Sequence, residues 1–143
     1  MSLFNVFDVA GTALNAQSIR LNTTASNLAN AESVSGDPTK VYKARHPVFQ
    51  SLVRYEDSFG MSDDDAASVG VKVLGVVESQ APAQMQYQPA HPLANKDGYI
   101  YNSNVNSIEE MTNMISASRS FQTNIDAMNT ARDLLLKTIS MGR

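Results

Sequence analysis

Phe7, Leu14, Leu21 and Leu28 recur every seven residues, and Leu3, Ala10 and Ala31 lie on the neighbouring row with Gln17 and Thr24 between them. A heptad recurrence draws an apolar line along one face of a helix. The pattern predicts a helix from about Leu3 to Asn30, roughly 40 Å long at ~1.5 Å per residue. This stretch has no Pro, and its one Gly is Gly11. The far end of the chain repeats the pattern. Met114, Phe121, Met128 and Leu135 recur every seven residues, with Met111, Ser118, Ile125, Arg132 and Ile139 on the row beside them. Ser107-Ile108-Glu109-Glu110 reads as a capping box, Ser107 capping and Glu110 reaching back. Gly142 is the expected stop, which gives a second helix approaching ~50 Å.

Between the helices the character changes. Ala31 to Thr39 is a linker containing Gly36, Pro38 and two serines. Val41–Phe49 and Val69–Val77 are β-branched enough for strands, and Pro47 marks the first as an edge or an end. Ala83, Met85 and Tyr87 alternate with Gln84, Gln86 and Gln88, as a half-buried strand does. Asn95-Lys96-Asp97-Gly98 predicts a turn into Tyr99-Ile100-Tyr101. Asp63, Asp64 and Asp65 lie in a loop between Glu56 and Ser68, expected to be solvated. The expected fold is therefore α+β. Residues 1–31 and 107–143 form two long helices paired antiparallel like a coiled coil, and residues 32–106 form a small, mainly antiparallel β domain inserted between them.

The polar surface of the first helix is unusual. Its charges from Leu3 to Glu32 are only Asp8, Arg20 and Glu32; the rest is amide and hydroxyl. A free amphipathic helix normally carries a well-charged outer face. Short uncharged groups suit a helix enclosed by protein on several sides, where a charge would have to be desolvated. Phe7, Leu14, Leu21 and Leu28 are expected to meet Met114, Phe121, Met128 and Leu135 within the chain. Two helices cannot cover each other's remaining faces, so neighbouring chains are needed. Asn22, Thr23, Ser26, Asn27 and Asn30 are expected to bond to neighbouring chains or to end the helix, with plain C-terminal capping the alternative for Asn30. Replacing Asn27 by Leu would then hamper assembly more than chain stability. Arg119 and Arg132, on a largely apolar helix, would pair with carboxylates of another helix or lie solvated. The candidate assembly surface is thus Phe7, Leu14, Leu21, Asn27, Leu28, Asn30, Met114, Arg119, Phe121, Ile125, Met128 and Leu135.

Composition removes other classes. The chain has 143 residues, a net charge of −3 and no Cys. The basic residues are scattered, which argues against a nucleic-acid surface. Without Cys there is no disulfide framework, thiolate zinc site or thiol nucleophile. His46 and His91 have no cluster of acids beside them, and Asp63–Asp65 lacks the alternating ligands of a calcium loop. No nucleophile elbow or phosphate-cradling glycine loop occurs, so no metal, cofactor or catalysis is expected. The N-terminus lacks the basic region of a cleavable secretory signal, and no apolar run reaches the length of a membrane span.

The segment ALNAQSIRLNTTASNLANAES, with Asn27-Leu28-Ala29-Asn30 at its end, resembles the N-terminal signature of bacterial flagellar rod, hook and hook-associated proteins. The tail HPLANKDGYIYNSNVNSIEEMTNMISASRSFQTNIDAMNTA resembles the short proximal rod members. The resemblance rests on His91-Pro92, Asp97-Gly98-Tyr99, Asn104-Val105-Asn106, Glu110-Met111 and Ala117-Ser118-Arg119-Ser120. Glu32–Thr39 and the stretch near Asp63 fall outside it. The resemblance implies a subunit exported unfolded by the flagellar type III apparatus and assembled in the periplasm as part of the basal-body rod. It implies other rod proteins (FlgB, FlgF, FlgG), the adapter FliE and copies of itself as neighbours. Two rivals remain: a different axial subunit, and a free-standing helical module such as an export chaperone. The second should carry charged rows flanking its seam, and the first helix has none.

Overall fold

The computed structural model describes residues 3–54 and 67–142, so the expected acidic loop at Asp63–Asp65 lies outside the described residues. In chain order the elements are α1 (Leu3–Ala29), β1 (Val34–Ser35), β2 (Arg45–Arg54), β3 (Ala67–Glu78), β4 (Gln84–Tyr87), β5 (Tyr99–Asn102) and α2 (Ser107–Met141). β1, β5 and β4 form a three-stranded antiparallel sheet in that order, and β2 and β3 form a two-stranded one. No helix among the described residues is long and apolar enough to cross a membrane.

The chain forms two compact units. One comprises Met1–Ile19, Val48–Gly75 and Ala117–Arg143; the other comprises Arg20–Pro47 and Val76–Ser116. In the first, the start of α1 groups with the end of α2. In the second, the end of α1 groups with the start of α2, so the helices run antiparallel, as the expected fold requires.

In the first unit α2 turns one heptad face inward. Ala117 and Ala131 are buried, and Phe121, Asn124, Met128 and Leu135 are half-buried. The expected companion row is corrected here: Met111, Ile125, Arg132 and Ile139 are exposed. The inner companion row is Ala117, Asn124 and Ala131, three residues on from the large side chains rather than four. Alanine wins because its small side chain lets the partner helix approach, and Ala117 is 0 % exposed. Opposite, Phe7 and Leu14 are half-buried and Ala10 and Ala16 are buried. Thr12 Oγ1 donates to the Val9 carbonyl at 2.9 Å and accepts from the Val71 N–H at 3.2 Å. That link fastens β3 to α1.

The second unit holds the three-stranded sheet. β4 pairs with β5 from Gln84–Asn102 to Tyr87–Tyr99, and Tyr87 and Tyr99 meet edge to face at 5.1 Å. Every residue of β4 is exposed, so the expected half-burial fails; alternation of Gln with larger residues marked the strand but not a covered face. The first expected strand also shifts. Val41–Ala44 is irregular and β2 begins at Arg45, because the backbone of this stretch is engaged by side chains: the Ala44 N–H donates to Asn104 Oδ1 at 2.7 Å. β1 arises within the expected linker through pairing with β5. The turn at Asn95–Gly98 forms as expected, with Asn95 Oδ1 accepting from the Asp97 and Tyr99 N–H groups at 2.9 Å each. Gly98 has a φ of 82°, a conformation favoured by glycine.

The start of α2 differs by one residue. Asn106, not Ser107, caps it: Asn106 Oδ1 accepts from the Ile108 N–H at 3.1 Å and the Glu109 N–H at 3.4 Å. These are the two amides an N-cap side chain serves. Glu110, expected to close the box, is instead buried. Along α2, Thr112, Thr123, Thr130 and Thr138 each donate to the carbonyl four residues back, at 2.8–2.9 Å.

The buried apolar residues are mostly small: Ala10, Ala16, Val41, Ala44, Ile100, Val105, Ala117 and Ala131. Among the described residues the largest fully buried side chain is an amide, Asn27. Among the described residues few large side chains are fully withdrawn from water, so those residues gain little burial energy within one chain.

Candidate assembly surfaces

Asn27 ties the last turns of α1 to the stretch that leads into β2. The side chain is 1 % exposed. Its Nδ2 donates to the Arg45 carbonyl at 2.8 Å, and its Oδ1 accepts from the Tyr42 hydroxyl and the Arg45 N–H, both at 2.9 Å. One amide thus satisfies both backbone groups of Arg45, which otherwise face a helix that offers them nothing. Asn27, expected to bond to a neighbouring chain or to end the helix, makes three hydrogen bonds inside the chain. Asn30 takes its capping role, with Nδ2 donating to the Ser26 carbonyl at 2.8 Å. Two further tethers hold this unit. Asn104 Nδ2 donates to the Ala81 carbonyl at 2.9 Å, and Arg20 reaches Asn113 Oδ1 at 3.4 Å.

Burial pushes the Tyr42 phenol above its ordinary value; Arg45 opposes the shift, and Glu110 and Glu78 add to it. The Arg45 guanidinium lies 5.6 Å from the centre of the Tyr42 ring and pairs with Glu78 at 3.0 Å. That pair is about half exposed, so it contributes little. A cleft of about 450 Å³ opens here, lined among others by Ser33, Lys40, Tyr42, Lys43, Arg45 and Glu78. Thr39, which lines the cleft, holds Asp37 below the usual carboxylate value through hydrogen bonds from its hydroxyl and N–H. Among the described residues no group of three His, Asp or Glu side chains could hold a metal. His91 Nδ1 accepts from the Leu93 N–H at 3.1 Å, and His46 is exposed on β2.

The helices keep large uncovered faces. Phe7, Leu14, Leu21, Leu28, Met114, Phe121, Met128 and Leu135 are half-buried, while Arg119 and Ile125 are exposed. On α2 a second line runs beside the inner one: Ile108, Met111, Ile115, Ile125, Leu136 and Ile139. Met111 is 46 % and Ile115 56 % exposed. They alternate by three and four residues, the spacing of a helix-packing seam, with Ser118, Gln122, Asn129 and Arg132 completing the repeat. On α1 the exposed residues after Asn5 are Asp8, Gly11, Asn15, Asn22, Ala25, Ser26 and Ala29. No side chain among them is larger than asparagine. Sequence reasoning named the inner seam and the row Met111, Ser118, Ile125, Arg132 and Ile139 of the second line; it missed Ile108, Ile115 and Leu136, which complete that line at 3–4 spacing.

Both ends of the chain match known families. The family described as Flagella basal body rod protein matches residues 7–36, and that described as Flagellar basal body rod FlgEFG protein C-terminal matches residues 96–141. The chain is 47 % identical to the flagellar basal-body rod protein FlgC of Escherichia coli O6:H1 and to that of Salmonella typhimurium. It is 44 % identical to the FlgC of Yersinia enterocolitica. In all three cases 100 % of both chains is covered.

Proposed function

The chain belongs to the FlgC family of flagellar basal-body rod proteins, and from that premise we propose how its helices serve as a structural rod subunit. Both terminal helices pack against those of neighbouring subunits, so that the assembled helices transmit torque and form part of the wall of the export channel. The observation that carries this reading is the coexistence of a thin core of small residues with long, uncovered apolar lines on α2. A single chain gains little by folding, and an assembly that covers those lines gains much more.

The neighbours that fit are other axial subunits with the same terminal helices: FlgB, FlgF, FlgG and further copies of this chain, with the adapter FliE at the base. The chain reaches its place in the periplasm through the flagellar export apparatus and binds neither nucleic acid nor the membrane directly. Its role is structural and involves no catalysis. Full-length identity to rod proteins favours this reading over a free-standing helical module or an export chaperone.

Mass spectrometry of detergent-purified hook–basal bodies from the source cell tests the reading. The chain should be present and should resist salt washing. Intact basal bodies that lack it would overturn the proposal.

A further inference from the structure

The stretch that leads into β2 gathers the tightest group of cations in the chain, Lys40, Lys43 and Arg45. All three line the cleft of about 450 Å³, and the residues that line it belong to the second compact unit. Clefts of roughly 300–1,000 Å³ seat a small ligand or a few side chains. Glu78 is the one carboxylate lining it against three cations, an excess of two positive charges, in a chain whose net charge is −3. The cations differ in what they already hold. Arg45 pairs with Glu78 at 3.0 Å. Lys40 lies close enough to Asp37 to help hold its carboxyl down. Lys43 is half-buried and has no ion pair among the described residues. A cation partly withdrawn from water bears a desolvation cost that an anion beside it offsets. The backbone on both sides of Lys43 is already fixed. The Tyr42 hydroxyl donates to Asn27, the Ala44 N–H donates to Asn104, and Asn27 holds both backbone groups of Arg45. An anion entering a preformed cleft therefore meets little ordering cost. A carboxylate fits it better than a phosphate, whose second charge Glu78 opposes. Three cations in a cleft also fall short of the track that a nucleic-acid backbone needs.

We propose that this cleft receives the carboxylate of an Asp or Glu side chain from a neighbouring rod subunit, paired with the Lys43 ammonium. The inference rests on the rod-subunit reading and deepens it, since it names a polar contact that uses neither α1 nor α2. Lys40 and Arg45 flank the pair and turn away cationic side chains, so the contact selects its partner by charge.

A water-soluble carbodiimide joins a lysine amine to a carboxylate in contact with it, as an amide, with loss of one water. Hook–basal bodies carrying the wild-type chain are purified from the source bacterium and treated with it. A product heavier than one chain should form, and its digest should contain Lys43 joined to an Asp or Glu of a rod subunit. The same treatment of Lys43→Arg, which keeps the charge but offers no amine, should not give that product. A wild-type chain that is incorporated but shows no such link would overturn the proposal while leaving the rod reading intact. Lys43 joined only to Glu78 or Asp37 within a single chain would overturn it too, since the cleft is then neutralised from inside. Absence of the wild-type chain from basal bodies would instead remove the rod reading itself. Charge reversal supplies a second readout. Lys43→Glu should be incorporated roughly tenfold less than Lys43→Arg. Equal incorporation of the two would overturn the pairing.

Discussion

Thr12 and Gly70 are in such close contact that a methyl group on Gly70 would stand 2.5 Å from Thr12 Oγ1. Gly70 is buried and has a φ of 149°, where side chains are rarely tolerated. Thr12 also fastens β3 to α1 through the Val71 N–H. Replacement Gly70→Ala should therefore cost about 1–3 kcal/mol of strain and displacement. Urea unfolding would read this as a lower midpoint at an unchanged slope. Adding Thr12→Ala should cost less than the sum of the single changes, because the methyl then has room.

Asn27→Leu should destabilise the chain itself. Leucine leaves the Tyr42 hydroxyl and both backbone groups of Arg45 without partners, at a cost of about 2–4 kcal/mol. Asn30→Ala removes only an exposed cap bond and should cost under ~1 kcal/mol. Equal midpoints for the two variants in thermal unfolding would contradict the network described for Asn27.

Tyr42 gives the fold an alkaline limit. Its folded value lies above the ordinary 10.0, so the neutral phenol is the form the fold favours. The stability it contributes is complete below pH 10.0 and is lost as pH rises through the raised folded value. Ionisation also removes the proton donated to Asn27 Oδ1. Tyr42→Phe should lower stability near neutrality by about 1 kcal/mol and flatten this alkaline loss. An unchanged alkaline slope in denaturation between pH 9 and 12 (roughly, the window in which a shifted tyrosine titrates) would assign the loss elsewhere.

Asn106→Ala should cost about 1 kcal/mol by exposing the first amides of α2. Ser107→Ala should change stability by under ~0.5 kcal/mol. The reverse ranking would restore Ser107 as the cap.

Heptad lines make both helices legible in the sequence, because Leu, Met and Phe at seven-residue spacing align on one face of a helix and on no face of a strand. Which row accompanies them is not legible. Rows three and four residues away from Met114 obey the same period, and only the partner helix selects Ala117 over Ser118. Asn27 stands out in the sequence by its chemistry yet reads as outward-facing, since its partners Tyr42 and Arg45 come from a stretch whose path depends on Asn27 itself. The cap moves by one residue because Asn106 and Ser107 are both good caps, and local sequence does not separate them. β1 is invisible in the sequence because two residues carry no period; their pairing with β5 is a tertiary event.

The four threonines of α2 that bond back to their own helix alter what a neighbour meets. Thr112, Thr123, Thr130 and Thr138 look hydrophilic in the sequence, yet each hydroxyl is turned onto a carbonyl four residues earlier. That leaves the methyl groups as the outward part of these side chains and supplies the hydroxyl protons with acceptors before any contact forms. A helix of this kind stays wettable while single, and it surrenders less hydration on being covered than its composition suggests.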